Sequence, residues 1–152
     1  MLATAWQKEA RSPNMTLERC TTADSVCLGT ILKASVWLRR AADQGFAPAQ
    51  TALAHMFQQG KGMPVNYAEA AEWYRRAAEP GYAEAQHKLG THYAEGWGVP
   101  RNYALANMWL SLAGAGAEAG AYADRAAIVK RMSQTQIECA EQLLREWKRT
   151  SR

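Results

Sequence analysis

The stretch QGKGMPVNYAEAAEWYRRAAEPGYAEAQ, residues 59–86, decides the fold because both of its ends recur in the chain. Its opening returns as EGWGVPRNYALA at 95–106, and its ending resembles DQGFAPAQ at 43–50. At the same offset of 36 residues, Trp37 falls on Trp73 and Trp109. A repeat of this length, with glycine, proline and tryptophan in register, is typical of a solenoid, whose units bury their apolar faces against one another.

One period contains two amphipathic helices. In the first, Ala85, Leu89 and Tyr93 recur at four-residue spacing. The apolar stripe of the second consists of Tyr103, Ala106, Trp109, Leu110 and Ala113. Between the two, Gly96 is expected to end the first helix, Pro100 to prevent its continuation and Asn102 to cap the second. Small residues such as Gly90 and the Ala77-Ala78 pair are expected where helices approach closely, with Trp73 and Trp109 filling the space beside them.

These motifs resemble the Sel-one-like repeat, a relative of the tetratricopeptide repeat. The resemblance covers about residues 34–117 and is carried by Ala85, Leu89, Gly90, Tyr93, Gly96, Gly98 and Val99, and by Ala70, Trp73, Tyr74, Ala77, Ala78 and Gly81. One departure is Asn66 or Asn102, where the family usually has an acidic residue. The fold class expected is all-α, a short right-handed α-solenoid of stacked antiparallel helix pairs.

The periodicity divides the chain into four parts. Residues 1–24 give no clear signal, and residues 25–45 form a degenerate first unit, for which a single helix from about Ser25 to Asp43 is expected. Residues 46–117 hold two full repeats. Residues 118–152 are predicted to form a final helix pair that caps the array, with Ser133 and Gln136 at the spacing of a capping box.

The composition is that of a globular domain without a strong charge signature. Of 152 residues, 48% are hydrophobic and 21% charged, and the net charge of +4 is diffuse. No apolar run is long enough for membrane insertion and no signal peptide is evident, so a cytoplasmic location is expected; a periplasmic or secreted one would follow if a leader had been removed. The pairs Arg39-Arg40 and Arg75-Arg76 are not continued at Ser111-Leu112, which favours solvated helix ends over a nucleic-acid ladder.

The sequence offers no catalytic, metal or cofactor site. His55, His87 and His92 lack the spacing and companions of metal ligands and are expected to face solvent or a partner. The repeated Gly-x-Gly turns follow helices, which favours turn geometry over phosphate binding. Cys20 and Cys27 are expected to be reduced, although some secreted relatives pair cysteines at a similar spacing, and Cys139 is expected to be a small apolar filler.

The function predicted is a non-catalytic adaptor that binds a peptide or a partner helix, another protein being the partner and no cofactor being required. A cell-wall-related enzyme or ligand-binding protein, and a nucleic-acid binder using the arginine pairs, are the alternatives. Alignment with the first helix of the tetratricopeptide repeat, which lines the concave groove, implies eight candidate contact residues: Thr51, His55, Gln58 and Gln59 in one repeat, and His87, Thr91, Ala94 and Glu95 in the next.

Overall fold

The computed structural model describes residues 24–116 and 118–151, with backbone alone for 24–28, 30 and 31, and in this part of the chain every regular element is an α-helix. The seven helices, named here in chain order, are α1 (Asp24–Asp43), α2 (Ala47–Gln59), α3 (Tyr67–Ala78), α4 (Ala83–Glu95), α5 (Tyr103–Ala115), α6 (Ala119–Val129) and α7 (Gln134–Thr150). The predicted all-α solenoid of stacked helix pairs is confirmed.

The helices pack in chain order. Each of α2 to α5 contacts the helix before it and the helix after it, and α6 packs on α5. We call α2, α4 and α6 first helices, and α1, α3 and α5 second helices, because the two full pairs are α2–α3 and α4–α5. The single helix expected for the degenerate first unit is α1.

The predicted helix boundaries have their expected physical causes. The side chains of Asn66 and Asn102 accept hydrogen bonds from the backbone amides of Glu69 and Leu105, each at 3.2 Å, which caps α3 and α5. Gly96 follows α4 with a φ of 74°, a left-handed conformation that glycine adopts without strain. Ser133 and Gln136 form the expected capping box at the start of α7.

The core includes the two predicted stripes and the small residues between them. Leu53, Leu89 and Leu110 are almost fully buried, and Trp73, with 4% of its surface exposed, is buried as predicted. A Cβ atom added to Gly90 would lie 2.8 Å from Cγ of Leu110. Gly90 therefore lets α4 and α5 approach closely enough for Leu110 to fill the space.

The C-terminal helices do not form the expected pair. After the short connection at 130–133, α7 makes only marginal contact with α6 and packs instead on α5. The rings of Trp109 and Trp147 meet there edge to face, with centroids 4.9 Å apart. Leu110, the next residue, packs against Gly90 of α4. The capping role of residues 118–152 stays a prediction.

Of the three cysteines, only the side chain of Cys139 is described by the structure. Cys139 is exposed on α7, so the expectation of an apolar filler is wrong; its helix turns that position to solvent while Ala140 is buried. Cys20 and the side chain of Cys27 lie outside the described residues.

Among the described helices, none has the length and apolar character required to cross a bilayer.

Candidate partner-binding groove

The candidate groove is formed by the accessible sides of the first helices α2, α4 and α6, which we call the first-helix face. Helix α4 is held between α3 and α5, so only its remaining side is open to solvent. Six of the eight predicted contact residues are exposed or half-exposed. They are His55, Gln58 and Gln59 on α2, and His87, Thr91 and Glu95 on α4.

Two predicted contact residues are not accessible as expected. Thr51 has 3% of its surface exposed, and its hydroxyl donates a hydrogen bond to the carbonyl of Ala47 at 3.0 Å. Ala94 has 7% of its surface exposed. The alignment with the tetratricopeptide helix gives the position of each residue around the helix axis. It does not give how closely the neighbouring helices approach that position, and here they bury both residues.

On α2 the polar side chains of the face are connected to the repeats around them. Nε2 of His55 lies 3.5 Å from Oε1 of Glu84 on α4, with both side chains partly exposed. Tyr74 donates a hydrogen bond from its hydroxyl to Oε1 of Gln58 at 2.9 Å. Burial, and secondarily the charge of Glu84, raises the pKa of Tyr74, so this hydroxyl remains a donor. Gln59 is exposed.

His87 connects α4 to α6. Its Nε2 lies 2.6 Å from Oδ2 of Asp124, and its Nδ1 lies 3.7 Å from Oε1 of Glu118. Only 15% of the His87 side chain is exposed. A Cβ atom on Gly120 would lie 2.9 Å from Cε1 of the imidazole, so the glycine provides the space in which the ring lies. His87 is therefore already bound to α6 and is less available to a partner than the sequence suggested.

A small cleft lies between α4 and α6 on the same face. It has a volume of about 140 Å³ and is lined by Thr91, Ala94, Glu95, Asp124, Ala127, Ile128 and Arg131. Ala94, Ala127 and Ile128 supply apolar surface, while Glu95 and Arg131 bring charges of opposite sign. The sequence prediction contained Thr91, Ala94 and Glu95 but none of the residues from α6, because α6 lies beyond the two full repeats.

His92 contradicts the expectation that the histidines face solvent or a partner. It has 1% of its surface exposed and lies within a cluster of rings formed with Tyr67, Tyr74 and Trp97. Its Nδ1 lies 2.9 Å from the carbonyl oxygen of Trp97, and Nε2 has no hydrogen-bond partner. Burial lowers the pKa of His92 despite that hydrogen bond, which favours the neutral ring with the proton on Nδ1.

Three of the four repeated arginines contact aromatic side chains. The guanidinium carbon of Arg40 lies 5.3 Å from the ring centroid of Trp37, and that of Arg76 lies 4.7 Å from Trp73. Arg75 is half-buried and donates a hydrogen bond to the Tyr93 hydroxyl at 2.7 Å, which raises the pKa of the arginine. Arg75 thus contacts the next repeat while 41% of its side chain stays exposed, a contact that the sequence did not indicate.

A second cleft, of about 400 Å³, was not predicted and lies where α7 crosses α5. Its lining residues come from the second helices, from α7 and from Tyr93: Arg75, Glu79, Tyr93, Leu105, Met108, Trp109, Leu143, Glu146, Trp147 and Thr150. No group of three or more potential metal ligands was found among the described residues.

Comparison with known proteins identifies the repeat. The sequence profile of the Sel1 repeat matches residues 32–46, 47–82 and 83–117, which together are more than half of the chain. No protein of curated function matches.

Two solved structures are similar. One is c5321, a protective antigen of uropathogenic Escherichia coli strains with an SLR fold, which is 35% identical with a TM-score of 0.73 over 76% of this chain and 25% of its own. The other is a Sel1 repeat protein from Oxalobacter formigenes, 40% identical with a TM-score of 0.60 over 62% of this chain and 38% of its own.

The chain thus spans well under half the length of both solved relatives. Sel1 repeat proteins are generally scaffolds for protein–protein interaction. Three consecutive matches to the repeat, two structures with at least 35% identity and a solenoid of helix pairs agree with one another. The chain belongs to the Sel1 repeat family.

Proposed function

We propose that this protein is a non-catalytic adaptor whose first-helix face holds a short peptide or a helix of another protein. The observation that carries the proposal is the cleft between α4 and α6, which is open on the face that the family resemblance assigns to partner binding. Its apolar floor of Ala94, Ala127 and Ile128 suits one small apolar side chain of a partner. The rim residues Thr91, Glu95 and Arg131 supply hydrogen bonds and charges for its backbone and neighbouring side chains.

Other parts of the face extend the same surface toward α2. His55 and Gln59 are at least partly exposed there, and a segment that follows the stacked helices would pass from Gln59 and His55 to Thr91 and Glu95. Polar contacts along the segment would fix its register, while the cleft would supply an anchor. His87 serves this surface indirectly, because it fixes α6 and hence one wall of the cleft.

Nucleic-acid binding is less well supported than protein binding. Arg40 and Arg76 lie on tryptophan rings, and Arg75 binds Tyr93. The arginine pairs also have no counterpart at Ser111 and Leu112, so they do not continue along the array. The proposal of a non-enzymatic role rests on the family, whose members are generally scaffolds, together with the nature of the face, which is polar and shallow.

A peptide-display experiment tests the proposed groove. A random peptide library is selected on the folded protein, and the affinity of the best peptide is measured for the parent and for Ala127→Trp, which fills the cleft from an exposed position. We expect the variant to weaken binding at least about tenfold, or ~1.4 kcal/mol. Ala68→Trp, at an exposed position on α3, is the matched control. Equal affinities for all three proteins would place binding elsewhere and contradict the proposal.

A further inference from the structure

The two ends of the described array are complementary to each other. Each inner second helix lies between two first helices, as α3 does between α2 and α4, and α5 between α4 and α6. Among the described helices, however, α1 packs only on the first helix that follows it. Helix α6 packs on α5 and α4 but only marginally on α7. Within residues 24–116 and 118–151, α1 thus has no first helix of its own and α6 no second helix.

The residues at these open faces retain the pattern of the inner pairs. Within the pair α4–α5, Leu110 fills the space above Gly90. At the repeat offset, Gly90 corresponds to Ala126 of α6 and to Ala54 of α2, so alanine is already accepted at this position in the first full repeat. Leu110 corresponds to Leu38 of α1. The two residue types of this contact are therefore both present, a leucine on α1 at one end of the described array and an alanine on α6 at the other.

Exposure agrees with this correspondence. Ala54 and Gly90 are buried, whereas Ala126 is exposed. Ala70 and Ala106 are fully buried, whereas Ala34, which corresponds to both, is exposed on α1.

We propose that copies of this chain associate head to tail, with α6 of one copy accepting α1 of the next copy as its second helix. Leu38 would then lie over Ala126 as Leu110 lies over Gly90, and Ala34 would be buried as Ala70 and Ala106 are. Helix α7 leaves this position free because it packs on α5.

The consequence is an open-ended array. A contact between two different faces of identical chains does not close on itself unless the rotation brings the ends together. The first-helix face would then continue from one copy to the next. One helix-on-helix contact is smaller than a standard interface of about 1,600 Å², so the association is expected to be weak and dependent on concentration.

Sedimentation and light scattering of the full chain test this proposal. The parent is expected to gain mass steadily from low to high micromolar concentration. Ala34→Glu blocks the face of α1, and Ala126→Glu blocks the face of α6; both positions are exposed, so each variant is expected to fold and to remain a monomer. Ala68→Glu, an exposed alanine away from both ends, is the matched control and should associate like the parent.

Mixing the two blocked variants distinguishes this geometry from any symmetric dimer. The intact α1 of the Ala126→Glu protein can still dock on the intact α6 of the Ala34→Glu protein, and the two outer ends are blocked. The mixture should therefore form a one-to-one dimer that grows no further. A parent that stays monomeric, blocked variants that still associate, or a mixture that stays monomeric would each overturn the proposal. Circular dichroism verifies that every variant is folded.

Discussion

The two full repeats differ most on the outer side of their second helices. On α3 this side carries Glu69, Glu72 and Arg76, all exposed. The corresponding positions of α5 hold three apolar residues, Leu105, Met108 and Leu112, which are buried or partly buried. Both repeats consist of a first helix of 13 residues and a second helix of 12 or 13 residues, so this difference lies in the side chains of the outer side.

Helix α7 explains this difference. It packs on α5, and its Leu143 and Trp147 share a cleft with Leu105 and Met108. On α3, by contrast, Glu72 lies 3.6 Å from both Arg75 and Arg76 in ion pairs that stay in contact with solvent. The same repeat framework can therefore face water or receive a further helix, and three residues per repeat decide which.

The largest expected effect concerns what the two repeats share. Trp73→Ala and Trp109→Ala should each lower the free energy of unfolding by ~3–5 kcal/mol, because each removes a large buried side chain. Urea denaturation followed by circular dichroism measures this loss. Trp37→Ala, which removes a tryptophan that is 44% exposed, is the matched control and should cost less. If Trp73→Ala melted within a degree or two of the parent, packing of the repeats around these tryptophans would be wrong.

The next effect concerns the outer side of the second helices, where the two repeats differ. Met108→Glu gives α5 the residue of α3 and should lower the free energy of unfolding by about 2–3 kcal/mol, because a carboxylate would replace a buried apolar side chain. Hydrogen exchange should increase in α7 before it increases in α4. The reverse change, Glu72→Met, should be nearly neutral. Unchanged protection of α7 in the Met108→Glu protein would show that α7 is held by other contacts.

A smaller effect separates the two histidines of the first-helix face. His87→Ala should cost about 1–2 kcal/mol, because it removes the hydrogen bond to Asp124 and leaves a gap beside Gly120. His55→Ala removes a partly exposed contact and should cost less than about 0.5 kcal/mol. Thermal melting of the two single variants compares them, and equal melting temperatures would contradict the role of His87 in holding α6.

The smallest effect is a pH dependence that belongs to the second full repeat alone. His92 corresponds to Met56, and its pKa is lowered from the ordinary value of 6.5 by burial. At a pH below 6.5 the unfolded chain binds a proton at this histidine more readily than the folded protein does. The free energy of unfolding therefore has its full value above pH 6.5 and falls as the pH decreases toward the pKa of His92 in the folded protein. The loss is at most about 1.4 kcal/mol per pH unit.

Comparison of the parent with His92→Met isolates this contribution, because the remaining titrating groups are common to both proteins. The difference in the free energy of unfolding between them should change from about pH 7 to about pH 5, to the disadvantage of the parent. A constant difference over this range would mean that His92 is protonated equally in both states.

Much of the fold could be predicted because the repeat encodes it twice. Glycine at Gly96, asparagine at Asn102 and the alternation of large and small core residues have local causes that a single sequence displays. The sequence does contain one signal for the packing of α7 on α5. Ser111-Leu112 interrupts the arginine pairs, and Leu112 is one of the apolar residues on the outer side of α5.

The candidate site was less predictable because it depends on distances between helices. The position of Thr51 on its helix follows from sequence, but its burial depends on how closely the helices pack. Similarly, nothing local to His87 indicates Asp124, which is 37 residues away on α6. The prediction for His92 was wrong because histidine is polar and polar residues usually lie at the surface. Its counterpart in the preceding repeat, Met56, is apolar, which indicates a position that faces the core.

The chain-order packing of the helices has a consequence for the way the protein folds. From α1 to α6 every major contact joins helices that are adjacent in sequence, so each pair can form without closing a long loop, and such topologies fold rapidly. Helix α7 is the exception, because its partner α5 is separated from it by all of α6. We expect α7 to dock late, after α5 has formed on α4. During synthesis, the apolar outer side of α5 would remain open to water until α7 has left the ribosome.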